Sequence, residues 1–129
     1  MIAYLESSAA AKLLTDEAET RALERYLAPF GPDDDLVSAL LLETELRRLA
    51  AREGFEQDAV TALLDGVRLL RMGRQVFQTA GLLPSQGLRS LDALHLATAL
   101  LDEVDVVITY DARLISAATD IGVATVSPR

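Results

Sequence analysis

Residues 104–111 read VDVVITYD. Five of the first seven are β-branched, and the run ends on an acid. Such a segment reads as a buried strand, with Asp111 just past its carboxyl end. Downstream, DARLISAATD (111–120) has helical spacing, and GVATVS (122–127) reads as a last strand. Upstream, LDALHLATALL (91–101) is a strong helix, and PSQG (84–87) breaks it from a helical stretch over 74–83. VRLLRM, bracketed by Gly66 and Gly73, reads as a short strand, and Gln57–Leu64 as an amphipathic helix. A long helix through Leu42, Leu46, Leu49 and Ala50 follows the short strand LVS (36–38). Near the start, Ser8 is placed to cap a helix over Ala9–Leu14, and a second helix is expected from about Glu17 to Leu27. The chain opens with the strand IAYL (2–5), which runs straight into Glu6. Strands alternating with helices imply crossover connections and a parallel sheet, an α/β fold.

The 129 residues make one domain, residues 1–129, with no repeat or linker. A chain of this size can bury roughly two thirds of the surface its unfolded form exposes. With no cysteine, disulfides and thiolate zinc sites are excluded. No apolar run approaches the ~20 residues of a membrane span, and MIAYLESSA lacks the basic flank of a signal peptide. A soluble, cytoplasmic protein without membrane contact is expected. Residues 1–66 hold 14 acidic and 6 basic residues, and residues 67–129 hold 6 of each. An acidic chain is a poor non-specific binder of nucleic acid. A nucleic-acid substrate would therefore need a bound cation, a local arginine cluster or a basic partner.

Ligands of parallel sheets bind outside the carboxyl ends of the strands. This rule places Glu6 and Asp111 on a functional rim. Glu45 lies on the apolar side of the long helix, between Leu42 and Leu49, whereas Glu43, about 200° around the axis, turns outward. Asp92 opens the helix that continues through His95, Leu96 and Ala99. Each acid also has a structural reading. Asp92 can complement a helix dipole, Asp111 can cap the helix after it, Glu45 can pair with Arg48 or Arg52, and Glu6 can end its strand in solvent. Four carboxylates drawn together would repel unless a cation joined them, and an all-oxygen set suits Mg²⁺ or Mn²⁺. Such a centre can activate water against a phosphodiester.

RSLDALHLATAL (89–100), TYDARL (109–114), YLESSAAAKLL (4–14) and SALLLETELRR (38–48) together resemble the PIN-domain ribonucleases of the VapC toxin type. The resemblance spans essentially the whole chain. It implies a three-layer α/β/α domain with a parallel five-stranded sheet. It also implies a catalytic, metal-holding set on Glu6, Glu45, Asp92 and Asp111, with Mg²⁺ as cofactor and Mn²⁺ as substitute. Ser8 and Thr109 would shape the site. The expected activity is endoribonucleolytic cleavage of structured RNA, tRNA or ribosomal RNA, which arrests translation. A homodimer, a VapB-type antitoxin and operator DNA reached through that antitoxin would be its associations. One departure from the family pattern is Glu6, where the motif has Asp. The longer side chain leaves three outcomes open: a fully active ligand, a slow site, or a substitution that weakens a toxic enzyme.

His95, the only histidine, is expected in a structural or site-edge role. Arg47, Arg48 and Arg52, with Arg68, Arg71 and Arg74, form two basic clusters able to grip phosphate or to make helix salt bridges. Arg89 could reach RNA or a site carboxylate. Lys12, the only lysine, is expected at the surface. The apolar stretches AAAKLL and LERYLAPF offer either core or a groove for a partner helix. Two other functions compete with the nuclease. One is a PIN-like binding module without catalysis. The other is a signalling receiver domain, which wants a lysine near its last strand, where this chain has none.

Overall fold

A computed structural model describes all 129 residues. Twelve elements follow one another: β1 (Ile2–Leu5), α1 (Ser7–Lys12), α2 (Thr20–Leu27), β2 (Asp35–Ala39), α3 (Leu41–Glu53), α4 (Gln57–Asp65), β3 (Arg68–Leu70), α5 (Arg74–Gly81), α6 (Ser90–Leu101), β4 (Val106–Ile108), α7 (Ala112–Asp120) and β5 (Thr125–Val126). All strand pairs are parallel, and the five strands lie in the order β3-β2-β1-β4-β5.

The period-2 alternation of strand side chains divides the core between the two faces of the sheet. Ala3, Leu5, Val106 and Ile108 pack with Leu23, Leu42, Leu46 and Val60 of α2, α3 and α4. Tyr4, Val37, Ala39 and Val107 point the other way, onto Ala99 of α6 and Leu114 of α7. Helices thus cover both faces, as the three-layer α/β/α expectation required. α5 and α6 pack as a hairpin through Val76, Ala80, Ala93 and Ala97. No helix is long and apolar enough to cross a membrane.

Two amino-terminal details differ from expectation. α1 starts at Ser7, and its cap is Glu6, whose carboxylate accepts the Ser8 N–H; Ser8 itself is inside the helix. The chain turns from strand to helix within one residue, so the side chain at that corner does the capping. α2 starts at Thr20, not near Glu17, because the Thr20 hydroxyl is engaged by the Lys12 and Thr15 carbonyls and the Glu17 N–H. α3 stops at Gly54, whose φ of 78° is the left-handed conformation that a glycine adopts without cost.

Strand order positions the site. β1 is central, and the chain builds to one side of it (β2, β3) and then to the other (β4, β5). The crevice between the carboxyl ends of β1 and β4 is therefore the topological switch point where parallel sheets bind ligands.

Candidate active site

Glu6 follows the last residue of β1 and is only 3% exposed. Its Oε2 accepts three hydrogen bonds: from Ser8 N at 3.0 Å, Ser8 Oγ at 2.5 Å and Thr109 Oγ1 at 2.7 Å. These donors offset the cost of burying a carboxylate, and together they fix its rotamer. Thr109 Oγ1 also accepts the Asp111 N–H at 3.1 Å, and Ser8 Oγ accepts the Tyr110 N–H at 2.9 Å. Ser8 and Thr109 therefore tie the ends of β1 and β4 together across the crevice.

Asp111 lies three residues past β4. Its Oδ1 accepts the Arg113 N–H at 2.9 Å and caps α7. Asp92 is in the first turn of α6, whose amino end meets the same edge. Burial, and then the negative charge of Asp111, push the Asp92 carboxyl above the usual carboxylate range, against the opposing pull of the Arg89 backbone and guanidinium. Asp92 thus lies within reach of the negative charge of Asp111.

Glu45, on the second turn of α3, is held from the sheet side. Its Oε1 receives Ser7 Oγ at 2.8 Å and lies 2.6 Å from His95 Nε2. It makes no pair with Arg48 or Arg52. His95 is 1% exposed, and its other ring nitrogen is 2.5 Å from the Tyr4 hydroxyl.

The four acids occupy one edge, but they do not close into a single knot: no three carboxylate or imidazole groups form a ready metal cluster. The convergence of all four on one point is corrected to this extent. Glu45 is turned toward His95 and Ser7, and one oxygen of Glu6 is filled by three donors. Asp92, Asp111 and the other oxygen of Glu6 accept no hydrogen bond from another side chain. This all-oxygen, like-charged donor set fits a hard divalent cation, which usually takes one or two carboxylates and completes its shell with water.

The basic residues separate cleanly. Arg47 pairs with Glu43 of its own helix and braces α3 to α4 through Gln57 and Thr61, at 3.0–3.2 Å. Arg48 and Arg52 are exposed and, with Glu45, Thr44, Leu41 and Leu91, line a cleft of about 510 Å³ beside the acids. Arg68 is spent on Asp35. Lys12 is not a free surface residue: its ammonium pairs with Glu19 at 3.0 Å and Glu17 at 3.4 Å and lies 4.8 Å above the Tyr110 ring.

Sequence reasoning missed Ser7. In the stretch ESSA nothing distinguishes the two serines, although a helix beginning at Ser7 turns them toward different acids. It also missed the link from His95 to Tyr4, since both residues read as core.

A parallel three-layer domain with carboxylates along the edge at its switch point defines a small α/β domain with an acidic rim. The PIN domain family model matches residues 3–120, and the chain belongs to that family, among its VapC-type ribonucleases. Ribonuclease VapC46 of Mycobacterium tuberculosis is 41% identical over 129 residues, covering 97% of this chain and 96% of the relative. Ribonuclease VapC47 of the same species is 38% identical over 130 residues at the same coverage. Among solved structures, the sarcin–ricin-loop-cleaving toxin VapC20 of M. tuberculosis superposes with a TM-score of 0.77 at 18% identity, covering 98% of this chain and 99% of that one. VapBC-1 from nontypeable Haemophilus influenzae gives 0.74 at 20% identity, covering 98% of each chain.

Proposed function

We propose that this protein is the toxin of a VapBC-type pair, a metal-dependent endoribonuclease that cuts structured RNA, tRNA or ribosomal RNA, and so arrests translation. The observation that carries this reading is a buried Glu6 held by three donors at the switch point, with the Asp111 backbone anchored on the same Thr109 hydroxyl. Asp92 and Asp111 would hold Mg²⁺, or Mn²⁺ in its place, with Glu6 and Glu45 completing the acidic set around it. When bound, the ion would supply charge stabilisation at the phosphate and a lowered pKa for water.

The chain's own residues have separable tasks. Ser8 and Thr109 orient Glu6. Asp111 is anchored through its cap on α7 and through Thr109. Arg48, and Arg52 with Glu53 as a neighbour at 3.7 Å, offer phosphate contacts in the cleft next to Glu45. Arg89, at the head of α6, brings positive charge to Asp92. The three donors on Glu6 support the reading in which the longer acid works in place, not one in which it attenuates the enzyme.

A VapB-type antitoxin is the proposed partner. The structural relatives include a toxin–antitoxin complex from Klebsiella pneumoniae and VapBC2 from Rickettsia felis bound to a fragment of its promoter. We further propose a homodimer, operator contact through the antitoxin, and a cytoplasmic location for this chain.

The deciding experiment incubates purified protein with total RNA and Mn²⁺ or Mg²⁺, with EDTA as control, and maps new 5′ ends. Discrete metal-dependent cuts are expected. A tight antitoxin complex with no cleavage under any metal would instead mark a PIN-fold binding module.

A further inference from the structure

We propose that Tyr4 and His95 form a positioning relay for Glu45, in which the imidazole is held as its Nε2–H tautomer so that Nε2–H and the Ser7 hydroxyl both aim at Glu45 Oε1. The kinetic part of this inference rests on the nuclease reading; the tautomer does not.

The argument begins at the central strand. Tyr4 is fully buried on the α6 side of the sheet. Its oxygen accepts the Ala39 N–H at 3.1 Å. An ordinary phenol, with a pKa of about 10, keeps its proton at neutral pH. That proton needs an acceptor. His95 Nδ1, at 2.5 Å, is the acceptor within hydrogen-bond distance of the phenol oxygen, while the neighbouring Ser38 hydroxyl donates to the Leu5 carbonyl at 2.6 Å. An Nδ1 that accepts carries no hydrogen, so the ring hydrogen of a neutral imidazole is on Nε2. Nε2 lies 2.6 Å from Glu45 Oε1 and 2.8 Å from Ser7 Oγ. Ser7 Oγ in turn donates to the same Glu45 oxygen at 2.8 Å.

Every buried polar side-chain atom is satisfied in this arrangement. The consequence falls on Glu45. Both donors meet Oε1, which fixes the carboxylate plane and leaves Oε2 unbonded. A glutamate on an exposed helical turn would sample several rotamers; this one is set by a chain of contacts that starts on β1. The outer partners of a functional group commonly set its orientation in this way.

The sole histidine makes the test direct. In metal-free, ¹⁵N-labelled protein, two-bond ¹H–¹⁵N correlation should show Nε2 protonated and Nδ1 as a bare acceptor. Tyr4→Phe should shift the ring toward a mixture of tautomers and lower kcat by roughly tenfold or more, with KM for RNA little changed. His95→Leu should lose as much, and His95→Gln, whose amide can donate in place of Nε2–H, should recover most of that loss. A wild-type ring protonated on Nδ1 would overturn the relay. So would wild-type kcat in folded His95→Leu, or a loss that glutamine does not rescue. If Tyr4→Phe does not fold, the wild-type spectrum and the His95 pair still decide. If the wild type cuts no RNA, the nuclease reading fails while the spectrum continues to judge the tautomer.

Discussion

The Thr109 hydroxyl reaches Glu6 Oε2 at 2.7 Å, across 103 residues of sequence and from one strand end to the next. It is also the acceptor for the Asp111 N–H. One buried hydroxyl therefore orients the first acid and holds the backbone of the last.

Thr109→Val keeps the shape and β-branching but removes both contacts. Leaving a buried carboxylate short of a donor costs about 1–3 kcal/mol. Urea denaturation should register a loss in that range, and RNA cleavage should fall with it. Unchanged stability would mean that Ser8 alone satisfies Glu6.

Glu6→Asp tests the departure from the family motif. Aspartate caps helices as well as any residue, so α1 should persist. Its carboxylate would be drawn back from Thr109 by one methylene. Cleavage should not rise and is expected to fall, by up to about 100-fold if the displacement nears 1 Å. A clear gain would show that glutamate attenuates the enzyme.

Asp92→Asn should stabilise the metal-free protein while abolishing cleavage. A carboxyl raised above its unfolded value binds its proton more tightly in the native state. Its stabilising contribution is complete below the unfolded value, about 3.9, and disappears as pH rises through the higher folded value. Above that range the charged group opposes folding. The asparagine variant should therefore melt higher at pH 7, with the gap narrowing toward pH 4. Equal melting temperatures at pH 7 would contradict the crowding of Asp92 by burial and Asp111.

Arg47 and Arg48 are adjacent in sequence but should behave differently. Arg48→Ala, in a background silenced by Asp92→Asn, should weaken RNA binding by anisotropy and reduce its salt dependence by about one counterion. Arg47→Ala should leave binding nearly unchanged and cost roughly 0.5–1.5 kcal/mol of stability through its hydrogen bonds to α4. Equal effects on binding would remove the cleft from the RNA path.

Lys12→Met keeps the aliphatic stem but removes the charge between Glu17, Glu19 and the Tyr110 ring. A loss of about 1 kcal/mol is expected, partly recovered in high salt, where the two glutamates repel less. Chemical denaturation at two ionic strengths measures both.

Much of the fold was legible because its signals are local. Strand composition and helical spacing lie within single segments, so VDVVITY and LDALHLATALL declare themselves and alternation gives the parallel sheet. The acids were legible for a related reason: each ends a strand or interrupts an apolar stripe. What stayed hidden is pairing across distance. Ser7 and Ser8 differ only in which way a helix turns them. His95 looks like part of a buried stripe until Tyr4 is found 91 residues earlier at its Nδ1. Arg47 and Arg48 are separated by about 100° of helical rotation, which sends one to α4 and the other to the cleft. Lys12 seemed a surface residue because neither Tyr110 nor the turn bearing Glu19 is predictable as its neighbour.

The central place of β1 also has a bearing on synthesis. The first strand made must wait for β4, about one hundred residues later, before its second neighbour exists. A ribosome releasing this chain in order makes Glu6 about one hundred residues before Thr109, its partner across the crevice. Until β4 is in place, the carboxyl edge of β1 lacks the hydroxyl that orients Glu6, so the rim assembles only when segments far apart in the chain meet.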